Sequence, residues 1–154
     1  MEEEKIIIKT DGEIDLVLAK GLEEYSNCFD IYLHDTDINI GNIWCDDKIH
    51  EDINYLGNVG YHIYQGYEGK GYALKALKLI RLIMKEKGAS TILLNIEPNN
   101  VKSRRVAEKF GAKLLCYRPF PEKHELYDFS RFNKVAVYVY NIGEEDEDKK
   151  RKSI

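Results

Sequence analysis

Apolar residues recur along this chain at two spacings, and each spacing predicts one kind of element. Short β-branched and aromatic runs predict strands over residues 5–9, 13–19, 58–64, 91–96, 112–117 and 134–141. Two more strands are predicted between Phe29 and Cys45, on either side of a polar turn, and a loop is predicted from Arg118 to Asn133. Helical spacing covers Ala73 to Lys87 and Val101 to Phe110, the second segment ending at Gly111.

A glycine-rich segment, Gly66-Tyr67-Glu68-Gly69-Lys70-Gly71-Tyr72-Ala73, joins the strand at 58–64 to the first helix. Such a turn leaves backbone N–H groups unpaired at a helix N-terminus, where the helix dipole favours an anion. The segment therefore predicts a phosphate or pyrophosphate site. Two nucleotide motifs do not fit it. A Walker loop needs Ser or Thr after Gly-Lys, where this chain has Gly71, and a dinucleotide fingerprint needs a third glycine, where this chain has Leu74.

The segment resembles the pyrophosphate loop of the GNAT superfamily of N-acetyltransferases, whose pattern is Gln/Arg-x-x-Gly-x-Gly/Ala. Gly71 and Ala73 match the small positions, whereas Glu68 stands where Gln or Arg is usual, so we expect Glu68 to point to solvent. A second stretch, Glu97 to Ala112, resembles the family's second cofactor motif. Its sequence is similar to that of the branch that includes ribosomal-protein N-acetyltransferases, where Asn-x-x-Ser precedes the helix. With a weaker similarity at 29–43, the resemblance covers about residues 29–142.

This resemblance implies an α/β (α+β) fold, with a mixed, mostly antiparallel sheet, splayed central strands and flanking helices. The family places two helices between its first two strands, but only Gly21 to Asn27 is available here, so a reduced N-terminal helical region is expected. We expect one domain over residues 1–142. The charged stretch 143–154 is predicted to be a disordered tail.

Composition narrows the classes of protein. At 154 residues and a net charge of −4, the chain supports one domain with a core, and nonspecific nucleic-acid binding is disfavoured. Met1-Glu2-Glu3-Glu4 is acidic where a signal peptide needs basic residues, and no apolar run is long enough to span a membrane. The three cysteines lack metal-type or pairing spacing. We therefore expect a cytoplasmic protein without a metal, a membrane partner or a nucleic-acid partner, and we leave a homodimer open.

The resemblance assigns cofactor contacts by position. The backbone of Ile63 and Tyr64 would pair with the pantetheine arm of acetyl-CoA, and an N–H there would polarise the thioester carbonyl. Asn100 would bond the pantetheine or its surroundings, and Ser103 would lie near the thiol. The predicted pyrophosphate contacts are Gly69, Lys70, Gly71, Tyr72, Ala73 and Leu74.

The acid and base of the reaction are not where the family usually has them. The usual helix Tyr is replaced by Ala107 and the usual strand Glu by Asn95. Ser103 is the first candidate for protonating the thiol, although it also fits a residue that hydrogen-bonds at a helix start. Glu97 is a candidate base acting through water, or a solvated carboxylate at a strand end.

His62 is the other candidate base, or a structural residue of its strand. A bulge in the strand would reverse which of Tyr61 and His62 faces the site, so the sequence leaves this open.

The function that these residues predict is N-acetyl transfer from acetyl-CoA to a primary amine, by direct attack in a ternary complex. The alternative is a non-catalytic acyl-CoA-binding or regulatory module on the same fold, which the residues at 95 and 107 favour. A nucleotide-binding switch is disfavoured because no hydroxyl stands where it would bind magnesium. The sequence does not distinguish among four acceptors of the acetyl group: a peptide N-terminus, a lysine, a polyamine or another small amine.

Overall fold

The computed structural model describes residues 5–19, 27–46, 57–119 and 134–145. Within these residues the strands are β1 (Ile7–Thr10), β2 (Ile14–Leu18), β3 (Cys28–Leu33), β4 (Asn39–Cys45), β5 (Val59–Ile63), β6 (Thr91–Ile96), β7 (Lys113–Pro119) and β8 (Lys134–Asn141). The helices are α1 (Tyr72–Glu86) and α2 (Val101–Phe110), and residues 143–145 are also helical. Predictions that concern residues 20–26, 47–56, 120–133 and 146–154 lie outside the described residues.

The chain divides into two compact units. The first contains a five-stranded sheet in the order β1-β2-β3-β4-β5 together with α1, and the second contains a three-stranded sheet in the order β6-β8-β7 together with α2. The predicted α/β class with mostly antiparallel strands is confirmed. Every pairing among the described strands is antiparallel, so the parallel part of the expected mixed sheet is not found there. The single domain over residues 1–142 stays a prediction.

In the first unit, α1 packs against the sheet at β1, β2, β4 and β5. Leu77 and Ile80 are fully buried at this contact, and each such side chain stabilises the fold by about 1.5–3 kcal/mol. Leu74, predicted on the same face, is half-buried. Gly41 of β4 allows β5 to approach, because a Cβ at this position would lie 2.2 Å from the carbonyl oxygen of His62. The contact between β4 and β5 therefore requires a residue without a side chain at position 41.

In the second unit, β8 is the central strand and one of its faces packs under α2. The rings of Phe110 and Tyr140 lie 4.6 Å apart, and Tyr138 is 1% exposed. The free edge of β6 is partly covered by Asn58, which is itself buried. The Asn58 side chain donates to the carbonyl of Thr91 and accepts from the N–H of Leu93, much as a neighbouring strand would.

The strand β7 is longer than the sequence predicts. It continues through Arg118 to Pro119, which pairs with Lys134, whereas these residues were expected in a loop. A proline signals a loop because it cannot donate to a ladder, but it is tolerated at the end of an edge strand. Since β7 is the edge of its sheet, the missing N–H costs little there.

A polar cluster joins two turns of the first unit. The carboxylate of Asp15, which is buried, lies 2.8 Å from Nδ1 of His34, and the N–H of His34 donates to the carbonyl of Glu13. The Asp15 hydrogen bond raises the pKa of His34, and the charge of Asp35 adds to it. Burial raises the pKa of Asp15, but hydrogen bonds from Thr10 and His34 outweigh it, so the net direction is downward.

These shifts fix the sign of a pH dependence. Because the pKa of His34 is raised above 6.5, its contribution to stability is present below that value and is lost as the pH rises through the folded pKa. The Asp15 contribution is lost only in acid, as the pH falls through a pKa below 3.8.

We expect His34→Gln to lower the melting temperature more at about pH 5 than at about pH 8. Thermal unfolding of the two proteins across this range measures the difference. His62→Gln is the control, since His62 takes no part in the ion pair. A deficit that is constant with pH, or equal in the two variants, would contradict the assignment.

Candidate functional site

The glycine-rich segment between β5 and α1 has a backbone that only glycine adopts easily. Gly66, Gly69 and Gly71 have φ angles of 97°, 77° and 84°. A Cβ added at any of them would meet no atom within 4 Å, so the space above the segment is open. The segment begins with a turn in which the N–H of Tyr67 donates to the carbonyl of Tyr64 at 3.1 Å. The glycines are thus explained by backbone conformation and not by internal crowding.

The N-terminus of α1 carries amides that the helix does not use. Gly71 is the N-cap residue and provides no side-chain cap, and the first helical bond runs from the N–H of Lys75 to the carbonyl of Gly71. In the described part of the chain, the N–H groups of Tyr72, Ala73 and Leu74 have no hydrogen-bond partner. Such amides, together with the positive end of the helix dipole, form a binding site for an anion.

The charges around this N-terminus agree with that use. No acidic residue lies in the first turn of α1, and Glu68 is exposed, as expected from the sequence. Lys70 is exposed with its Nζ 5.8 Å from the centre of the Tyr67 ring. Lys75 is engaged with Glu13 at 2.8 Å, and this hydrogen bond raises the pKa of Lys75. Of these two lysines, Lys75 is therefore held by a carboxylate, whereas Lys70 is exposed beside the Tyr67 ring.

The strand β5 presents its residues in a regular alternation. Its pairing with β4 shows no register shift from Val59 to Ile63, so the bulge that the sequence left open does not occur in this stretch. His62 is exposed, with its ring 5.6 Å from that of Tyr64, whereas Tyr61 is half-buried on the opposite face. His62 therefore faces away from the side of the strand that buries Ile63.

The two predicted pantetheine contacts, Ile63 at the end of β5 and Tyr64 directly after it, differ in the direction of their backbone polar groups. The N–H of Tyr64 donates to the carbonyl of Ile40 at 2.8 Å, and its carbonyl accepts from Tyr67. Because N–H and C=O groups alternate between the two edges of a strand, those of Ile63 point away from β4. The Tyr64 backbone is thus engaged within the protein, and Ile63 is the residue of the pair that presents its amide at the outer edge of β5.

The second unit contains the other predicted site residues. Asn100 is the N-cap of α2, and its side chain accepts from the N–H of Ser103 at 3.2 Å. Ser103 is half-buried and Glu97 is exposed, and the carbonyl of Glu97 accepts from the N–H of Asn100 at 2.9 Å. The cap is thus Asn100, and Ser103 contributes its backbone N–H to it. Ala107 is 1% exposed, at the position where the family usually has a Tyr.

Sequence reasoning missed Arg104, the residue after Ser103. Its guanidinium donates to Tyr138 Oη at 2.9 Å, to the Pro98 carbonyl at 2.8 Å and to Tyr117 Oη at 2.7 Å. The bonds to Tyr138 and then Tyr117 raise the pKa of Arg104. The two tyrosine partners of Arg104 lie 34 and 13 residues away along the chain, so no local sequence pattern predicts these contacts.

The helices in the described part of the chain lack an apolar stretch of membrane-spanning length. No three His, Cys, Asp or Glu side chains in the described ranges lie close enough together to hold a metal ion.

Comparisons with known proteins agree with the fold described above. A family model described as an acetyltransferase (GNAT) domain matches residues 3–113. No curated protein matches the chain.

Several solved structures share the fold. An acetyltransferase from Agrobacterium tumefaciens is 25% identical with a TM-score of 0.54, over 77% of this chain and 63% of that one. A ribosomal-protein-S5-alanine acetyltransferase from Vibrio fischeri is 18% identical with a TM-score of 0.61, over 80% and 66% of the two chains. RimL, a ribosomal L7/L12 α-N-protein acetyltransferase solved with coenzyme A, is 17% identical with a TM-score of 0.59, over 78% and 65%. The chain thus spans about two thirds of the length of these proteins.

We expect Gly71→Val to lower the affinity for coenzyme A, the diphosphate ligand predicted from the sequence, by about tenfold or more, or roughly 1.4 kcal/mol. The valine side chain would occupy the open space at the α1 N-terminus, and φ near 84° is unfavourable for it. Calorimetry on the folded variant measures the affinity.

Gly88→Val is the matched control. Gly88 also has φ of 84° and open space around its Cβ position, but it lies beyond the C-terminus of α1. Both variants should lose similar stability, and only Gly71→Val should lose affinity. Equal coenzyme A affinities in the two variants would contradict the prediction of an anion site at the α1 N-terminus.

Proposed function

The chain belongs to the GNAT acetyltransferase family, and from that premise we propose that it moves the acetyl group of acetyl-CoA to a primary amine by direct attack in a ternary complex. The observation that carries the proposal is the uncapped N-terminus of α1. Its amides at Tyr72, Ala73 and Leu74 fit a diphosphate, and the three glycines leave room for the phosphates to approach. Gly69, Lys70 and Gly71 complete this set of contacts.

The strand edge at Ile63 is proposed to hold the pantetheine arm. Its N–H and C=O point away from β4, where an extended amide chain can pair with them as another strand would. An N–H in this position can also donate to the thioester carbonyl, whose oxygen gains negative charge in the transition state. The Tyr64 N–H is not available for this role because it donates a hydrogen bond to the carbonyl of Ile40.

Direct attack defines the proton transfers that side chains must serve. The amine nitrogen forms a bond to the carbonyl carbon, the C–S bond breaks, the nitrogen loses a proton and the thiolate gains one. We assign delivery of the thiolate proton to the Ser103 hydroxyl, which regains a proton from solvent as it donates its own. Glu97, exposed at the end of β6, is the proposed base through a water molecule, with His62 as the alternative base.

The non-catalytic acyl-CoA module remains the second candidate, and one observation favours it. The buried Ala107 carries no group that can donate a proton, and Asn95 on β6 is not an acid or a base at neutral pH. A protein with these two substitutions keeps the features for holding the cofactor. It would bind acyl-CoA without transferring the acetyl group.

Cofactor binding is tested first, and turnover then separates the two candidates. Coenzyme A should raise the melting temperature, because it binds the folded state, whereas ATP with magnesium should leave it unchanged. An amine panel with acetyl-CoA, followed by release of the free thiol, then tests turnover. Stabilisation without turnover on any amine would favour the module, and stabilisation by ATP–magnesium alone would overturn both proposals.

We expect Ser103→Ala to lower turnover by roughly 10²–10⁴-fold if its hydroxyl is the general acid, with coenzyme A affinity nearly kept. The variant retains the Ser103 N–H that Asn100 accepts, so the cap should survive. Lys102→Ala, at an exposed neighbouring position, is the control. Asn100→Ala should instead lose about 1 kcal/mol of stability. Turnover of Ser103→Ala equal to that of the control would exclude Ser103 as the acid.

A further inference from the structure

The guanidinium of Arg104 binds three parts of the second unit at once. It donates to the Pro98 carbonyl between β6 and α2, to a tyrosine of β7 and to a tyrosine of β8. These bonds use Nη1, Nη2 and Nε, so each of the three guanidinium nitrogens is engaged. A planar group with this many bonds has one orientation, and that orientation is set by strands of the sheet.

The β8 contact is rigid because of where Tyr138 lies. Its residue is 1% exposed, and its hydroxyl accepts from Arg104 while donating to Glu108 Oε1 at 3.4 Å. Arg104 and Glu108 are one helical turn apart on α2, so the Tyr138 hydroxyl is held between two charged groups of the same helix. The cationic donor and the anionic acceptor together fix the direction of this hydroxyl.

The Arg104 side chain also holds the turn that precedes α2. Pro98 lacks an N–H, so its carbonyl is the polar backbone group by which the turn can be held at that residue. Arg104 holds that carbonyl, and its own N–H donates to the carbonyl of Asn100. Asn99 and Asn100, which follow Pro98, therefore lie between two carbonyls held by one arginine, and Glu97 directly precedes this pair.

We propose that Arg104 is a positioning residue for cofactor binding, which fixes the Glu97–Asn100 turn to the sheet of the second unit. The inference rests on the proposed function, because it takes Asn100 to contact the cofactor. Lysine cannot replace this arginine. Its single ammonium cannot reach the Pro98 carbonyl and both tyrosine hydroxyls in the geometry of the guanidinium. Arg104→Lys therefore keeps the charge and removes the anchoring.

The first readout needs no ligand. Amide hydrogen exchange at Asn100 and Ser103, whose N–H groups donate within the turn and the cap, should become about tenfold faster in Arg104→Lys. Arg105→Lys is the matched control, since Arg105 is exposed on the same helix. Tyr117→Phe is a second variant that removes one bond from an exposed tyrosine, and it should show a smaller change in the same direction.

The second readout is coenzyme A affinity by calorimetry, in a double-mutant cycle with Asn100→Ala. We expect Arg104→Lys and Asn100→Ala each to weaken binding about five- to tenfold, and the double variant to bind about as weakly as either. A structural role that does not act through the turn predicts multiplied effects. The Arg105→Lys control should bind within about twofold of the wild type.

The outcomes distinguish failure of the positioning role from failure of the proposed function. Unchanged exchange in Arg104→Lys and in Tyr117→Phe would overturn the positioning role, whatever the affinities. Faster exchange with unchanged affinity, or with multiplied effects, would overturn the link to the cofactor. Failure of the wild type to bind coenzyme A would overturn the proposed function itself, and with it the role assigned to Arg104.

Discussion

The start of α1 is the backbone constraint on which the proposed anion site depends. Gly71 adopts a left-handed conformation and provides no side chain, so the chain turns sharply into the helix while the first amides stay open. The turn can be placed there because β5 is held to β4 up to Tyr64, whose carbonyl also closes the start of the glycine-rich segment. The helix is in turn fixed by Leu77 and Ile80 in the core. Packing therefore stabilises an N-terminus whose polar groups remain available.

The two helices differ in whether the N-cap side chain occupies a backbone amide of the first turn. At α2 the N-cap is Asn100, and its side chain occupies an amide of the first turn. At α1 the N-cap is Gly71, and no side chain does so. A capping side chain stabilises a helix by about 1 kcal/mol relative to alanine but only by a few tenths of a kcal/mol relative to glycine, so Gly71 costs α1 little stability. The first amides of α1 therefore stay open to solvent or to a ligand at little cost in stability, which favours the proposed phosphate site there.

Most elements could be predicted from the sequence, and those predicted best have clear boundaries. β6, α2 and β8 were predicted with the bounds observed, because turn residues or a helix-ending glycine flank strong apolar patterns. The cofactor residues were chosen by local motifs, which the sequence displays. The Arg104 contacts and the His34–Asp15 pair were missed because each joins residues distant in the chain. The engagement of the Tyr64 amide was missed because hydrogen-bond alternation depends on the strand register, which the sequence did not specify.

The buried Ala107 links the packing of the second unit to the question of catalysis. Its side chain lies within the face of α2 that also buries Phe110 against Tyr140. A tyrosine at 107, the residue that the family resemblance would place there, would have to displace neighbours, and overpacking of this kind costs about 1–3 kcal/mol. The substitution cannot therefore be treated as the loss of one hydroxyl from an otherwise unchanged site. The helix face is packed around alanine, so under the proposed acetyl transfer the proton donor would come from another position, such as Ser103, which lies one turn earlier on the same helix.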